Sequence, residues 1–487
     1  IDEASIARSA EFKQRGNTLF AEKKYFDALA QYTAGIDAHP TAVLYANRAY
    51  TYIKLEEFGG AIEDAEQAIA LDPAYVKAYY RRGSAYMVLG KTKEAKKDFK
   101  YVTTHFPKDQ MAKKNLAECD KKLRAEMFAR AIESDDDPTR GPKSYDVESI
   151  VVESSYTGPR LEEDGVVTRE FVLEMMEAFK AQQTVHRKYV MQMLVAMRTL
   201  LSALPSLVRL ALPAKTDDLP AEYEPHFTVC GDTHGQYYDL CNIFEINGLP
   251  SASNPYLFNG DYVDRGSFSF EVVMTLMAWK LCDPTCMNML RGNHESTNMN
   301  KMYGFEGEVK FKYDDKAMEL FSEVFNVLPL SAVIGDKVFV VHGGLSTEEG
   351  VTLDDISKIP RGRELPQSGL MSDLLWADPQ HLPGRRPSKR GVGYSFGPDI
   401  TKDFLDRNNL ELLVRSHEVK DDGYEIDHDG KCITIFSAPN YCDQMGNKGA
   451  FITFKADMKP QFTQFTAVPH PNVPPMRYAS MMSQFGL

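Results

Sequence analysis

Tryptophan and cysteine are scarce: two and seven among 487 residues. The cysteines are odd in number and none forms a Cys-x-x-Cys pair, which excludes a disulfide framework and predicts a reducing compartment, cytoplasm or nucleus. No apolar run approaches the roughly 18 to 20 residues that a membrane span needs; the richest, Tyr189 to Ala214, is interrupted by Arg198 and Arg209. Positive charge is also in deficit, with a net charge of −13. The first 130 residues carry 22 Lys/Arg against 18 Asp/Glu, and the remainder carries 34 against 51. So acidic a remainder argues against nucleic acid as a partner, while the basic N-terminal part is suited to an acidic ligand. Apolar residues at 43% and charged residues at 26% are ordinary for a globular chain, and the length predicts two or three domains. The chain begins at Ile1 rather than Met, which leaves a removed leader open.

An internal period organises the first quarter. Pro40, Pro73 and Pro107 lie 33 and 34 residues apart, and so do Ala28, Ala61 and Ala95. Gly16, Ala49 and Gly83 hold one small position in each unit, with Leu19, Tyr52 and Tyr86 three residues later. Each unit predicts two amphipathic helices whose small residues allow close approach and whose proline stops the second helix. This pattern resembles three tetratricopeptide (TPR) repeats over about residues 8 to 107, with a capping helix continuing to Ala131. Lys13 and Asn17 are four apart, as are Lys77 and Arg81, so each pair shares a helix face, and Asn47 lies in the helix between them. Together they resemble the carboxylate clamp of TPR modules that hold the acidic C-terminal tails of heat-shock protein 90 and heat-shock protein 70. That resemblance implies two cations and two amides gripping carboxylates by charge-assisted hydrogen bonds.

Residues 132–167, with the acidic triplet Asp135 to Asp137 and the pairs Gly141-Pro142 and Gly158-Pro159, predict a linker over the surface. From 168 to 465 short apolar runs alternate with helical stretches, an α/β pattern. Five runs end in polar clusters: Phe227–Cys230 before GDTHG, Tyr256–Phe258 before NGDYVDRG, Met287–Leu290 before RGNHE, Lys337–Val341 before HGG and Leu410–Val414 before RSHE. Ligand sites gather at the carboxyl ends of strands, so the five clusters are expected to converge. Asp232, His234, Asp261, Asn293, His342 and His417 offer oxygen and imidazole donors without thiolate, a set suited to Mn, Fe or Zn.

These motifs in this order resemble the metallophosphoesterases, and within them the phosphoprotein phosphatase family of Ser/Thr phosphatases. Arg390-Gly391-Val392 and the SAPNYC segment, 437 to 442, match as well. The resemblance implies an all-α TPR solenoid followed by an α/β metallophosphoesterase domain, a β-sandwich flanked by helices. It implies two divalent metal ions: Asp232 and His234 on one, Asn293, His342 and His417 on the other, Asp261 shared. It further implies His294 as general acid with Asp264 fixing its tautomer and raising its pKa, and Arg265, Arg390, Asn293 and Tyr441 around the substrate phosphate. The substrates implied are phosphoserine and phosphothreonine in proteins.

A tyrosine phosphatase needs a cysteine six residues before an arginine, and none meets that spacing; Cys286 and Arg291 are five apart in a strand. A nucleotidase or dinucleoside polyphosphate hydrolase would share the metal set but not the RGVGYSFG and SAPNYCD segments or the repeats. A catalytically dead scaffold would be expected to lose ligands, and all six are intact. The basic, proline-rich stretch His381 to Ser388 departs from the family pattern and is expected to bear on substrate choice. In the tail, 466–487, Tyr478, Met481, Met482 and Phe485 stand at i, i+3, i+4, i+7 and predict a helix. The resemblance implies that this tail and the repeats restrain the active site; an acidic residue of the repeats should then oppose the phosphate-binding arginines, and the turn carrying Glu56 and Glu57 is the candidate.

Overall fold

The computed structural model describes residues 3–132, 145–162, 165–217, 219–220 and 222–479. The chain divides into two units, each described by itself: residues up to 141 with Pro387–Gly393, and residues from Pro142 through Arg386 with the stretch from Tyr394.

The repeat unit is built of helices α1 (Glu3–Ala21), α2 (Tyr25–Ala38), α3 (Ala42–Lys54), α4 (Phe58–Leu71), α5 (Val76–Val88), α6 (Thr92–His105) and α7 (Gln110–Ile132). Helices α2, α4 and α6 end two residues before Pro40, Pro73 and Pro107, where a missing N–H and a fixed φ forbid continuation. Ala28, Ala61 and Ala95 are fully buried at the helix crossings. A Cβ on Gly16 would stand 2.6 Å from the Tyr32 ring, so the small residue of the first repeat is a packing requirement. Two ion pairs repeat with the same period: Arg48 forks onto Asp64 (2.7 and 2.8 Å) and Arg82 onto Asp98 (2.9 and 2.9 Å). Both carboxylates are buried, so each bidentate pair fixes the tilt of one helix pair as well as satisfying a charge. Residues 387–393 group with this unit, and there Gly60 donates its N–H to the carbonyl of Lys389 at 3.0 Å.

The second unit carries strands β1 (Leu207–Leu210), β2 (Phe227–Cys230), β3 (Tyr256–Phe258), β4 (Met287–Met289), β5 (Ser331–Ile334), β6 (Val338–Val341), β7 (Asp378–Pro379), β8 (Arg385–Pro387), β9 (Tyr394–Phe396), β10 (Leu412–Arg415), β11 (Tyr424–Asp427), β12 (Cys432–Ile435), β13 (Gly449–Phe454) and β14 (Pro460–Phe465). They form a mixed six-stranded sheet, β1-β5-β6-β10-β12-β11, a mixed five-stranded sheet, β14-β13-β2-β3-β4, and a small sheet, β7-β9-β8. Side-chain alternation explains the layering. Phe227 and Val229 of β2, Val338 and Val340 of β6, Leu412 and Val414 of β10 and Ala450, Ile452 and Phe454 of β13 share one core between the two large sheets. Their neighbours point outward: Cys230 and Phe451 toward a core that takes in the helices Arg169–Lys180, Arg187–Ser202, Tyr237–Asn247 and Ser269–Cys282, and Phe339, Val341 and Leu413 toward the helices Leu370–Trp376 and Pro398–Arg407. Strands covered on both faces read as continuous apolar runs, which is why the five motif-bearing strands were legible.

Between 145 and 162 the chain forms neither helix nor strand, yet Val147 and Leu161 are buried and join the helix-side core of the second unit. Tyr145 reaches Glu323 through its hydroxyl at 3.0 Å. In the tail the segment Pro475–Tyr478 is a turn; Met481, Met482 and Phe485, on which the expected helix depends, lie outside the described residues.

Candidate active site

All five motif loops leave strand ends of the two large sheets, and the six expected donors are buried. Hydrogen bonds define the tautomers. His342 Nδ1 lies 2.8 Å from the carbonyl of Asn259 and His234 Nδ1 lies 2.9 Å from that of Val263. A carbonyl only accepts, so in each ring Nδ1 carries the proton and, burial holding both pKa values below the ordinary range, Nε2 presents a lone pair.

Those lone pairs meet other lone pairs. His342 Nε2 stands 2.9 Å from Asn293 Oδ1 and 3.3 Å from Asp261 Oδ2, both acceptors, with His417 Nδ1 a further neighbour at 3.3 Å. His234 Nε2 stands 3.5 Å from Asp261 Oδ2 and 3.7 Å from Asp232 Oδ2. Acceptor atoms turned toward one another in a buried site are repulsive unless a cation lies among them, and Asp261 Oδ2 is the atom common to both sets. Charge leads to the same conclusion: burial, with Asp261 adding to it, pushes the Asp232 carboxyl up to about 7, the response of an anion set that calls for positive charge. The donor set therefore fits two divalent ions sharing Asp261. Grouped by distance alone among the described residues, two three-residue clusters stand out: Asp261 with His342 and His417, and Asp261 with His234 and His294. In the second, His294 takes the place expected for Asp232.

His294 is held differently from the other histidines. Its Nδ1 lies 2.9 Å from Asp264 Oδ2, and its backbone N–H donates to Asp261 Oδ1 at 2.9 Å. Asp264 also accepts from Asn300 Nδ2 at 3.1 Å and from the N–H of Phe305 at 3.0 Å, so the carboxylate is fixed at both oxygens. With Nδ1 engaged by Asp264, proton transfer from this ring would run through Nε2. Arg265 lays its guanidinium over the Tyr303 ring at 3.6 Å. Its charge reaches Tyr441, opposing the effect of burial, which drives that phenol well above its usual range. Tyr441 in turn has its ring 5.2 Å from that of His234. Arg390 lies in the 387–393 segment grouped with the repeats, where its N–H donates to Ser388 Oγ at 3.1 Å.

His234, Asp261, Asp264, Arg265 and His417 all have positive φ, between 39° and 72°. Such backbone costs on the order of 1 to 3 kcal/mol per residue and persists where hydrogen bonds over-determine it. Here the N–H of His234 donates to the carbonyl of Asp261 at 3.0 Å, that of Arg265 to Tyr303 at 3.2 Å and that of His417 to Asp232 Oδ1 at 3.1 Å. No sequence pattern announces these turns, because none of the five is a glycine.

In the repeat unit, Asn47 donates to Asn17 Oδ1 at 3.0 Å, which joins two of the expected clamp residues directly. Arg81 is stacked over Tyr50 at 3.4 Å. Lys54, at the end of α3, was not anticipated. Its ammonium lies 5.3 Å from the centre of the Tyr50 ring that also carries Arg81, and burial, with the charges of Arg81 and Lys23 adding to it, lowers its pKa to about 8. Its signal in the sequence was only its position, four residues after Tyr50 on one helix face.

Known proteins resemble this chain over both of its units. The calcineurin-like phosphoesterase model matches residues 225–421, a TPR repeat model matches 49–90, and a model described as the PPP5 TPR repeat region matches 116–209. The human serine/threonine-protein phosphatase 5 is 51% identical over 487 residues, covering 100% of this chain and 96% of its own length. The serine/threonine-protein phosphatase T of Trypanosoma brucei brucei is 49% identical over 484 residues, covering 99% of this chain and 100% of its own. A solved protein serine/threonine phosphatase from Saccharomyces cerevisiae superposes with a TM-score of 0.60 at 40% identity, covering 64% of this chain and 100% of that one. Fold and site thus define a TPR-bearing metallophosphoesterase, an enzyme of the protein phosphatase class with a catalytic domain of the calcineurin-like phosphoesterase family. Within that class the chain belongs to the serine/threonine-protein phosphatase 5 family.

Proposed function

We propose that the enzyme hydrolyses phosphoserine and phosphothreonine in proteins by direct attack of water, with no covalent phosphoenzyme. The observation that carries this is the convergence of His234 Nε2, His342 Nε2, Asn293 Oδ1 and His417 Nδ1 on Asp261 and Asp232, beside a histidine that is itself held by a carboxylate. Asp232 and His234 would hold one divalent ion, Asn293, His342 and His417 the other, and Asp261 both; Mn, Fe and Zn all suit this set. Such a pair lowers the pKa of water and stabilises the charge that builds on phosphoryl oxygens. Arg265, Arg390, Asn293 and Tyr441 bind the nonbridging oxygens, and the planar guanidinium suits two of them at once. His294 gives the proton on Nε2 to the seryl or threonyl oxygen as it leaves, while Asp264 retains the Nδ1 proton. Hydrolysis of a phosphoserine peptide in preference to a phosphotyrosine peptide or a dinucleoside polyphosphate is the expected result, and the reverse preference contradicts this substrate class.

The repeats take the acidic C-terminal tail of heat-shock protein 90, and by the same chemistry that of heat-shock protein 70, in a protein of the cytoplasm and nucleus. The joined pair Asn17–Asn47 and the cations Lys13, Lys77 and Arg81 support this reading, and Lys54 adds to it. Replacing Lys77 or Arg81 by alanine should cost about 1.5 to 3 kcal/mol of binding, the worth of a charged hydrogen bond. Calorimetry with the free-acid and the C-terminally amidated peptide checks this; equal affinity for the two contradicts a carboxylate clamp.

The enzyme is restrained by its own two ends. One observation, at the tail, supports restraint. Met476 donates its N–H to the carbonyl of Arg265 at 2.7 Å, and Ser267 Oγ donates to the carbonyl of Pro474 at 2.7 Å, so the tail is tied to the loop of the phosphate-binding arginine. In the repeats, Glu56 and Glu57 lie in the turn just before α4. Removing residues 1–165, or saturating the repeats with the acidic peptide, is expected to raise the hydrolysis of a small aryl phosphate. Equal rates for the full chain, the peptide-bound chain and the shortened chain contradict the restraint.

A further inference from the structure

Glu295 closes the RGNHE motif and has no solvent exposure, yet nothing in the proposed chemistry uses it. Its carboxylate accepts three backbone N–H groups. Oε2 takes those of Asp261 and Gly292, each at 2.8 Å, and Oε1 takes that of Tyr262 at 2.9 Å. The donors come from two different loops, the one after β3 that supplies Asp261 and the one after β4 that supplies Asn293 and His294. Its own backbone is anchored from the far side, since the buried Arg291 donates from Nε to the carbonyl of Glu295 at 3.1 Å.

The two loops approach so closely that glycine is needed on both. A Cβ on Gly260, whose φ is +89°, would stand 2.5 Å from the N of Gly292, and a Cβ on Gly292 would stand 2.2 Å from Asp261 Oδ1. Three N–H groups turned toward a single point repel one another, and only an anion with two acceptor oxygens reconciles them. Glutamine cannot: it offers one oxygen, and its amide NH2 would be set against an N–H.

We propose that Glu295 is a positioning residue that locks the Asp261 loop to the Asn293 loop and thereby sets how tightly the metal pair is retained. This rests on the dimetal reading above. Partners that orient metal ligands typically carry roughly 10- to 100-fold in metal affinity.

The test uses the full chain as wild type, Glu295→Gln and Glu295→Asp. Metal per chain is measured after equilibration against graded chelator, at a temperature where circular dichroism reports native protein. Glu295→Gln is expected to lose its metal at a free-metal concentration roughly 10- to 100-fold higher than wild type. Excess metal should restore its occupancy, which a merely structural defect would not allow. Should Glu295→Gln fail to fold, Glu295→Asp decides: a carboxylate one methylene shorter cannot reach all three N–H groups, so retention weaker than wild type supports the proposal. Wild-type retention in the folded glutamine variant, or in the aspartate variant if only that one folds, overturns it. A wild-type chain that binds no metal at all would instead overturn the dimetal reading itself.

Discussion

Changing Asp261 to asparagine should reduce phosphatase turnover by roughly three orders of magnitude or more and should lower the metal bound per chain. Asp261 Oδ2 lies within 3.5 Å of both His234 Nε2 and His342 Nε2, and Oδ1 accepts the backbone N–H of His294. An amide removes the negative charge shared by the two halves of the site. Loss of several kcal/mol of charge stabilisation at the phosphoryl oxygens corresponds, at about 1.36 kcal/mol per decade, to a fall of roughly 10³-fold. Turnover with a phosphoserine peptide and metal content by elemental analysis check this together. An Asp261→Asn chain that keeps both its metal and more than a tenth of its turnover would show that Asp261 is not shared.

Glutamine in place of His294 should slow the chemical step by roughly 10²- to 10⁴-fold, the range that a general acid contributes, with metal content unchanged. The reason lies in the division of labour on the ring: Nδ1 is engaged by Asp264 at 2.9 Å, and the proton on Nε2 is the one a leaving alkoxide needs. The loss should be smaller for an aryl phosphate, whose phenoxide leaves without a proton. His294 also clusters with His234 and Asp261 at ligand-like spacing. Metal content is therefore the measurement that separates the two roles: an acid leaves it intact when removed, and a ligand does not.

Much of this architecture is legible in the sequence. The repeats are, because Pro40, Pro73 and Pro107 and the buried Ala28, Ala61 and Ala95 recur at a period that only stacked helix pairs explain. So are the motif-bearing strands, because burial on both faces leaves unbroken apolar runs that stop at a polar loop; their ends moved by at most two residues, as in β10, which runs from Leu412 to Arg415 instead of Leu410 to Val414. What escaped depends on distance in space. The stretch 145 to 162 shows no helical or strand period and carries the Gly158-Pro159 pair, so it resembles a free linker, yet Val147 and Leu161 find a core whose other members lie far along the chain. Lys54 is one lysine among many until it is seen to share the Tyr50 ring with Arg81. Glu295 is the last letter of a motif until three N–H groups from two loops are seen to end on it.

The central claim is that two divalent ions, held by Asp232, His234, Asp261, Asn293, His342 and His417, drive hydrolysis of phosphoserine and phosphothreonine. It is tested most directly by stripping the purified full chain with chelator and returning metal in measured equivalents, while phosphoserine-peptide hydrolysis is followed. Turnover should vanish in the stripped chain and return in step with occupancy, reaching its plateau at two ions per chain. Undiminished turnover in the stripped chain, or a plateau at one ion, would contradict the account.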